Sequence, residues 1–165
     1  MAARPNALPW LALSLLVIVL DQASKWLALA WLAPYEPKAV IDGLRNWTLA
    51  FNSGAAFSFL AGGGGWQRWL FTALAVGVST VLMVWLARLA RGDWRNAAPL
   101  ALIIGGALGN LNDRLRLGHV VDFIDAHWGS ALWPAFNLAD SAISIGAVML
   151  IAFGLGSGRA RREHG

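Results

Sequence analysis

The sequence contains no cysteine. That absence excludes thiol catalysis, iron–sulfur centres, Cys-based zinc sites and a disulfide-stapled secreted scaffold. Charge is scarce too. Asp, Glu, Lys and Arg make up 13% of the 165 residues, against roughly 25% in soluble domains, so neither a soluble globule nor a disordered chain fits. There is no H-E-x-x-H motif and no internal repeat. His119 and His127 lie near Asp122 and Asp125 in sequence, but their spacing matches no standard metal site, and they read as interfacial loop histidines. Nothing implies a metal or other cofactor.

What is abundant is apolar. Hydrophobic residues reach 58% and the mean hydropathy is +0.56. These values predict a small polytopic membrane protein. Thirteen basic residues against nine acidic ones give a net charge of +4. In a membrane protein that excess belongs to cytoplasmic loops facing anionic lipid, not to nucleic-acid binding.

Charges punctuate the chain. None falls between Arg4 and Asp21, Arg68 and Arg88, Arg95 and Asp113, or Asp140 and Arg159. A bilayer core needs about 20 helical residues, because lipid offers no partner to backbone polar groups. Four spans are expected, roughly 9–33, 68–87, 96–114 and 137–158. Arg4 followed by Leu11 to Leu20 also resembles a signal peptide, but the apolar stretch resumes after Lys25 and leaves no polar cleavage region. The third span is the least apolar. Its Gly105, Gly106 and Gly109 would admit close neighbours, so it should be the most buried. Arg4, Arg88, Arg91, Arg95, Arg159, Arg161 and Arg162 fall on one side; Lys38, Arg45, Arg68, Arg114 and Arg116 fall on the other. Seven against five puts both termini in the cytoplasm and the loops 34–67 and 115–136 outside. Trp47 to Phe51 reads as a strand, and 35–66 as a small extracytoplasmic subdomain within a single membrane domain, 1–165. Most of the ten Trp residues fall near span ends, as an aromatic belt would.

Ionisable groups inside a membrane are functional candidates. Asp21 and Lys25 share a face of the first span. Asn110, Asp113 and Arg114 share one on the third, and Asn137, Asp140 and Ser144 share one on the fourth. With Asp122, all converge on the outer leaflet. Asp21 and Lys25 read first as a buried ion pair, and Asn137 can cap the fourth helix with Asp140 at its third position. Arg114 could snorkel or fork onto a carbonyl. Asp125 reads as a solvated loop acid. A Ser–Lys hydrolase would need Ser53 or Ser58 to reach Lys25. The remaining chemistry is a carboxylate pair, Asp122 and Asp140. Two close acids share one proton, so one can activate water while the other protonates a scissile carbonyl oxygen. A proton-coupled carrier using Asp21, Asp113 and Asp140 is the alternative, but it would spread its acids across the membrane.

Five stretches then carry a resemblance: Asp21-Gln22-Ala23-Ser24-Lys25; Asn52-Ser53-Gly54-Ala55-Ala56-Phe57-Ser58; Gly105 to Asn110 with Asp113-Arg114; Gly118 to Phe123; and Pro134 to Ser141. In this order they resemble the lipoprotein signal peptidase (signal peptidase II) family of bacterial inner-membrane aspartyl peptidases. The resemblance implies four transmembrane helices, a β-cradle and a short surface helix between the first two spans. It implies Asp122 and Asp140 as the catalytic dyad. Asn52, Asn110, Arg114 and Asn137 would position substrate or dyad, and Asp21, Lys25 and Asp113 would form a supporting polar network. Small residues such as Gly54, Ala55 and Ala139 would leave room for a peptide. The implied substrate is a diacylglyceryl-modified prolipoprotein cut just before its lipidated cysteine, with globomycin-type cyclic peptides as expected inhibitors. Acyl chains would lie against residues such as Phe71, Leu74 and Val148. Asn112 stands where the family usually has an apolar residue, and either a lipid-facing or a bundle-facing side chain is open.

Overall fold

The computed structural model describes residues 6–41, 45–54, 65–128 and 131–162. A 3-10 turn, Leu8–Trp10, leads into helix α1, Leu11–Trp31. Strands β1, Lys38–Ile41, and β2, Arg45–Asn52, follow. Helices α2, Trp66–Arg88, and α3, Trp94–Leu117, come next. Strands β3, Val120–Trp128, and β4, Ala131–Leu132, precede helix α4, Leu138–Arg162.

Helix α3 is the hub and packs against α1, α2 and α4. Half of its buried residues are Ala or Gly, because helices in lipid gain little from burying large apolar groups and associate by close packing. Gly106 shows why. A Cβ there would fall 2.8 Å from Ile143 Cγ1 and would also meet the Ala139 carbonyl. Across the other interface, Ser14 Oγ donates to the Ala101 carbonyl at 2.8 Å. Asp93 caps the start of α3, accepting from the Asn96 N–H at 3.4 Å. Gly118 ends it in the left-handed conformation, φ 84°, which costs a glycine little. α3 therefore runs three residues past the expected boundary at 114.

Two described helical stretches, Leu8–Trp31 and Trp66–Arg88, are long and apolar enough to cross a membrane, and Leu138–Gly154 forms a shorter apolar one. α3 falls short because of the small and polar residues that pack it. Large apolar side chains such as Leu15, Leu74, Val81 and Val148 face outward, as lipid contact requires.

The sheet runs β1-β2-β3-β4, each pair antiparallel. The expected strand at 47–51 lies inside β2. The sheet is not confined to 35–66, however. Half of it comes from 120–132, expected only as a loop. β2 pairs Asn52 with Val120, Phe51 with Val121 and Ala50 with Asp122. One face carries Leu49, Val121 and Phe123, which bury themselves with Ala28 at the end of α1. Side chains alternate along a strand, so Asp122 points to the opposite face. Within 35–66, where a short surface helix was expected, residues 55–64, with Ala55 and Ser58, lie outside the described residues.

Candidate active site

Two layers of polar side chains meet where α1, α3, α4 and the sheet converge. The lower layer centres on Lys25, which is 2% exposed. Its Nζ lies 2.8 Å from Asp21 Oδ2 and 2.8 Å from Asp113 Oδ2, and donates to Asn110 Oδ1 at 2.9 Å. All three ammonium hydrogens are thus engaged. Buried charges persist only when paired and hydrogen-bonded in this way. Ser24 Oγ turns back to the Asp21 carbonyl at 2.8 Å, so no Ser–Lys pair forms with it. The acids extend the network to the backbone. Asp21 Oδ1 accepts from Ala139 N–H at 3.0 Å, tying α1 to the first turn of α4. Asp113 Oδ2 accepts from Val121 N–H at 3.2 Å, tying α3 to β3.

The upper layer holds the two candidate catalytic acids. Asp122 is 2% exposed, and Asp140 is half-buried. Three asparagines aim their amide N–H groups at them. Asn110 Nδ2 donates to Asp140 Oδ1 at 2.8 Å, Asn137 Nδ2 to Asp122 Oδ1 at 2.7 Å, and Asn52 Nδ2 to Asp122 Oδ2 at 3.1 Å. In each case a group that can only donate fixes the orientation. Lys25 holds Asn110 Oδ1 at 2.9 Å, Gly54 N–H holds Asn52 Oδ1 at 2.9 Å, and Asp140 N–H holds Asn137 Oδ1 at 2.9 Å. Each amide's NH2 is therefore turned to a carboxylate.

Local structure explains the placement. Ala50 faces Asp122 across the ladder, and Asn52 lies two residues on, so it reaches Asp122 diagonally on the same face. Phe136 exchanges backbone hydrogen bonds with Ile124 at 2.9 and 3.0 Å, which brings Asn137 beside Asp122. Asn137 then opens α4 as a capping box: Asp140 Oδ2 accepts from Asn137 N–H at 3.3 Å. One asparagine thus bridges both acids, to Asp122 through its side chain and to Asp140 through its backbone.

Burial pushes the Asp122 carboxyl up to about 7, and the neighbouring Asp140 charge pushes the same way. The amide donors of Asn52 and Asn137 pull it down without overcoming burial.

Arg114 is half-buried, in the field of Asp140, Asp122 and Asp113. Its guanidinium lies 5.3 Å from the Phe71 ring centroid, and its buried Nε has no hydrogen-bond partner among the described residues. The edge of the Phe71 ring meets Gly54. With φ 103°, and with a Cβ set to fall 2.5 Å from Phe71 Cδ2, that position admits only glycine.

Several expectations change. Ala139 has no exposure; its backbone packs on Gly106 and binds Asp21, so it fixes helix packing and does not line a peptide cleft. Phe71, expected against acyl chains, also packs beside Gly54 and under the Arg114 guanidinium. Asp125 is not simply solvated, since Thr48 Oγ1 donates to it at 3.1 Å. His119 packs against Phe51 in a tilted contact, ring centroids 4.6 Å apart, and the His127 side chain lies outside the described residues. Asn112 faces the bundle, where it donates to Gln22 Oε1. Gln22 is the residue the sequence did not single out. Its Nε2 lies 3.1 Å from Asp21 Oδ2 and 2.9 Å from Asp113 Oδ1, joining the two acids that flank Lys25.

The family model described as Signal peptidase (SPase) II matches residues 13–155. The chain belongs to the signal peptidase II family. A lipoprotein signal peptidase of Xanthomonas campestris pv. campestris (strain 8004) is 58% identical over 167 residues, covering 100% of both chains. One from Xylella fastidiosa (strain M12) is 58% identical over 145 residues, covering 88% of this chain and 87% of its own. A solved bacterial membrane enzyme superposes with a TM-score of 0.79 at 27% identity, over 95% of this chain and 94% of that one. This signal peptidase II is an aspartic endopeptidase that processes lipoproteins, and the carrier alternative falls away.

Proposed function

We propose that Asp122 and Asp140 are the catalytic dyad, and that the enzyme cuts a diacylglyceryl-modified prolipoprotein just before its lipidated cysteine. The observation that carries this reading is the set of three asparagines aimed at these two carboxylates. The pair holds one proton between them, and it rests on the more buried Asp122. Asp140 takes a proton from water as the water attacks the scissile carbonyl. Asp122 gives its proton to the carbonyl oxygen. Proton return to the leaving amine then breaks the C–N bond. Arg114, with a free donor beside the acids, positions a substrate carbonyl. Lys25 acts one step removed, because it fixes the orientation of Asn110.

We read the chain as four membrane-spanning helices, with this site near the outer leaflet and both termini in the cytoplasm. The arginine-dense turn Arg88, Arg91 and Arg95 supports that orientation. A lipid-anchored substrate then presents its scissile bond at the depth of the dyad, and confinement to the membrane raises its effective concentration. Globomycin-type cyclic peptides would occupy the same cleft.

The test is cleavage of a purified diacylglyceryl-modified prolipoprotein in EDTA, with the products weighed by mass spectrometry. The expected mature fragment begins at the lipidated cysteine. Cleavage at another bond, or equal cleavage of the unlipidated precursor, would refute the substrate assignment.

A further inference from the structure

A second concave site lies on the far side of the sheet from the dyad. Ser24, Leu27 and Ala28 of α1 and Leu32 just past its end, with Trp47 and Phe123 of the sheet, line a groove of about 290 Å³. Trp31 closes one side. The lining is almost wholly apolar: besides the indole N–H groups of Trp31 and Trp47, its one hydroxyl, Ser24 Oγ, is already spent on the Asp21 carbonyl at 2.8 Å. Phe123 and Asp122 are neighbours on one strand and face opposite ways, so this groove is separate from the cleavage site.

Two features indicate the occupant. Trp26 and Trp31 are 68% and 75% exposed, and they stand on the last turns of α1, where tryptophan marks the membrane–water boundary. At the rim stands Lys38. It faces Trp47 across the β1–β2 ladder, and its Nζ donates to the Trp31 carbonyl at 2.9 Å. Among the described residues this is its one hydrogen bond, so its ammonium group stands with spare donors beside an apolar trough. We propose that the groove holds one acyl chain of a membrane phospholipid, with the lipid phosphate against Lys38. A diacylglyceryl group on a substrate cysteine has chains but no phosphate, so Lys38 favours the phospholipid. The proposal rests on the membrane placement of α1 given above.

The experiment uses the full chain in detergent, with phosphatidylglycerol and diacylglycerol of equal chain length as probes and native mass spectrometry as readout. The parent should bind phosphatidylglycerol more tightly than diacylglycerol. Lys38→Ala should weaken phosphatidylglycerol alone, by about fivefold, since one basic group near a membrane surface is worth that much. Ala28→Leu, which fills the trough, should weaken both. Lys38 lies outside the cleavage machinery, so Lys38→Ala should cleave prolipoprotein at the parental rate. Unchanged phosphatidylglycerol affinity in Lys38→Ala would overturn the proposal. So would equal affinity for the two probes, or displacement of phosphatidylglycerol by prolipoprotein, which would make the groove part of the substrate site. Cleavage measured on the same samples separates the two readings: an active parent without selective lipid binding loses only the groove, and an inactive parent that binds phosphatidylglycerol loses only the dyad.

Discussion

At the scale of single residues, the site depends on donors that cannot turn around. Lys25, Gly54 N–H and Asp140 N–H each force an asparagine to offer its NH2 to a carboxylate. Those donors favour ionised acids, while burial favours protonated ones, and at Asp122 burial prevails, lifting its carboxyl to about 7. Two pH effects follow. A dyad working with one shared proton loses activity when that proton leaves, so kcat/KM should fall about tenfold per pH unit above about 7. The folded state also binds this proton more tightly than the unfolded chain does. Its contribution to stability is therefore intact below about pH 4, the ordinary carboxylate range, and is lost as pH rises towards 7. Melting in detergent from pH 4 to 7 should show a shallower decline for Asp122→Asn than for the parent, and identical slopes would place the raised carboxyl elsewhere. The acids, Asn52, Asn110 and Asn137 were legible in the sequence because they sit in short recognisable runs. Gln22 sits in such a run too, but its role was not legible, because a neutral amide does not announce a partner and Asp113 is 91 residues away.

At the scale of elements, helix placement follows from small residues more than from hydrophobicity. α4 lies so close to α3 that Asp140 falls within reach of Asn110, and Gly106 sets that distance. In Gly106→Ala the new methyl meets a backbone carbonyl, which cannot swing aside as a side chain can. Overpacking of this kind costs about 1–3 kcal/mol. We expect a lower melting temperature in detergent together with a loss of cleavage, as the displaced α4 draws Asp140 away from its donor. A stable variant with parental activity would show that the contact is unimportant. The helices themselves were readable from the gaps between charges. β3 was not read, although Val120, Val121, Phe123 and Ile124 are strand formers. Its partner β2 is separated from it by two whole helices, and a strand is defined by that distant pairing.

At the scale of the whole molecule, an apolar exterior surrounds a polar junction, as a membrane enzyme requires. Two of its helices declare themselves by length and hydropathy; α3 does not, because packing selected Gly, Ala and Asn in place of Leu. The proposed orientation can be tested cleanly, since the chain has no native cysteine. Gly92→Cys, in the α2–α3 turn with open space around it, should react with a membrane-impermeant maleimide only from the cytoplasmic side. Ala39→Cys, on exposed β1, should react only from outside, and the opposite pattern would invert the topology. The central claim is that Asp122 and Asp140 act as one catalytic unit. The most direct measurement is single-turnover cleavage of lipid-modified prolipoprotein by Asp122→Asn, Asp140→Asn and the double variant, each checked for folding. The account predicts a loss of about three orders of magnitude or more in each single variant and no further loss in the double. A folded single variant that cleaves at the parental rate, or two partial losses that simply multiply, would contradict it.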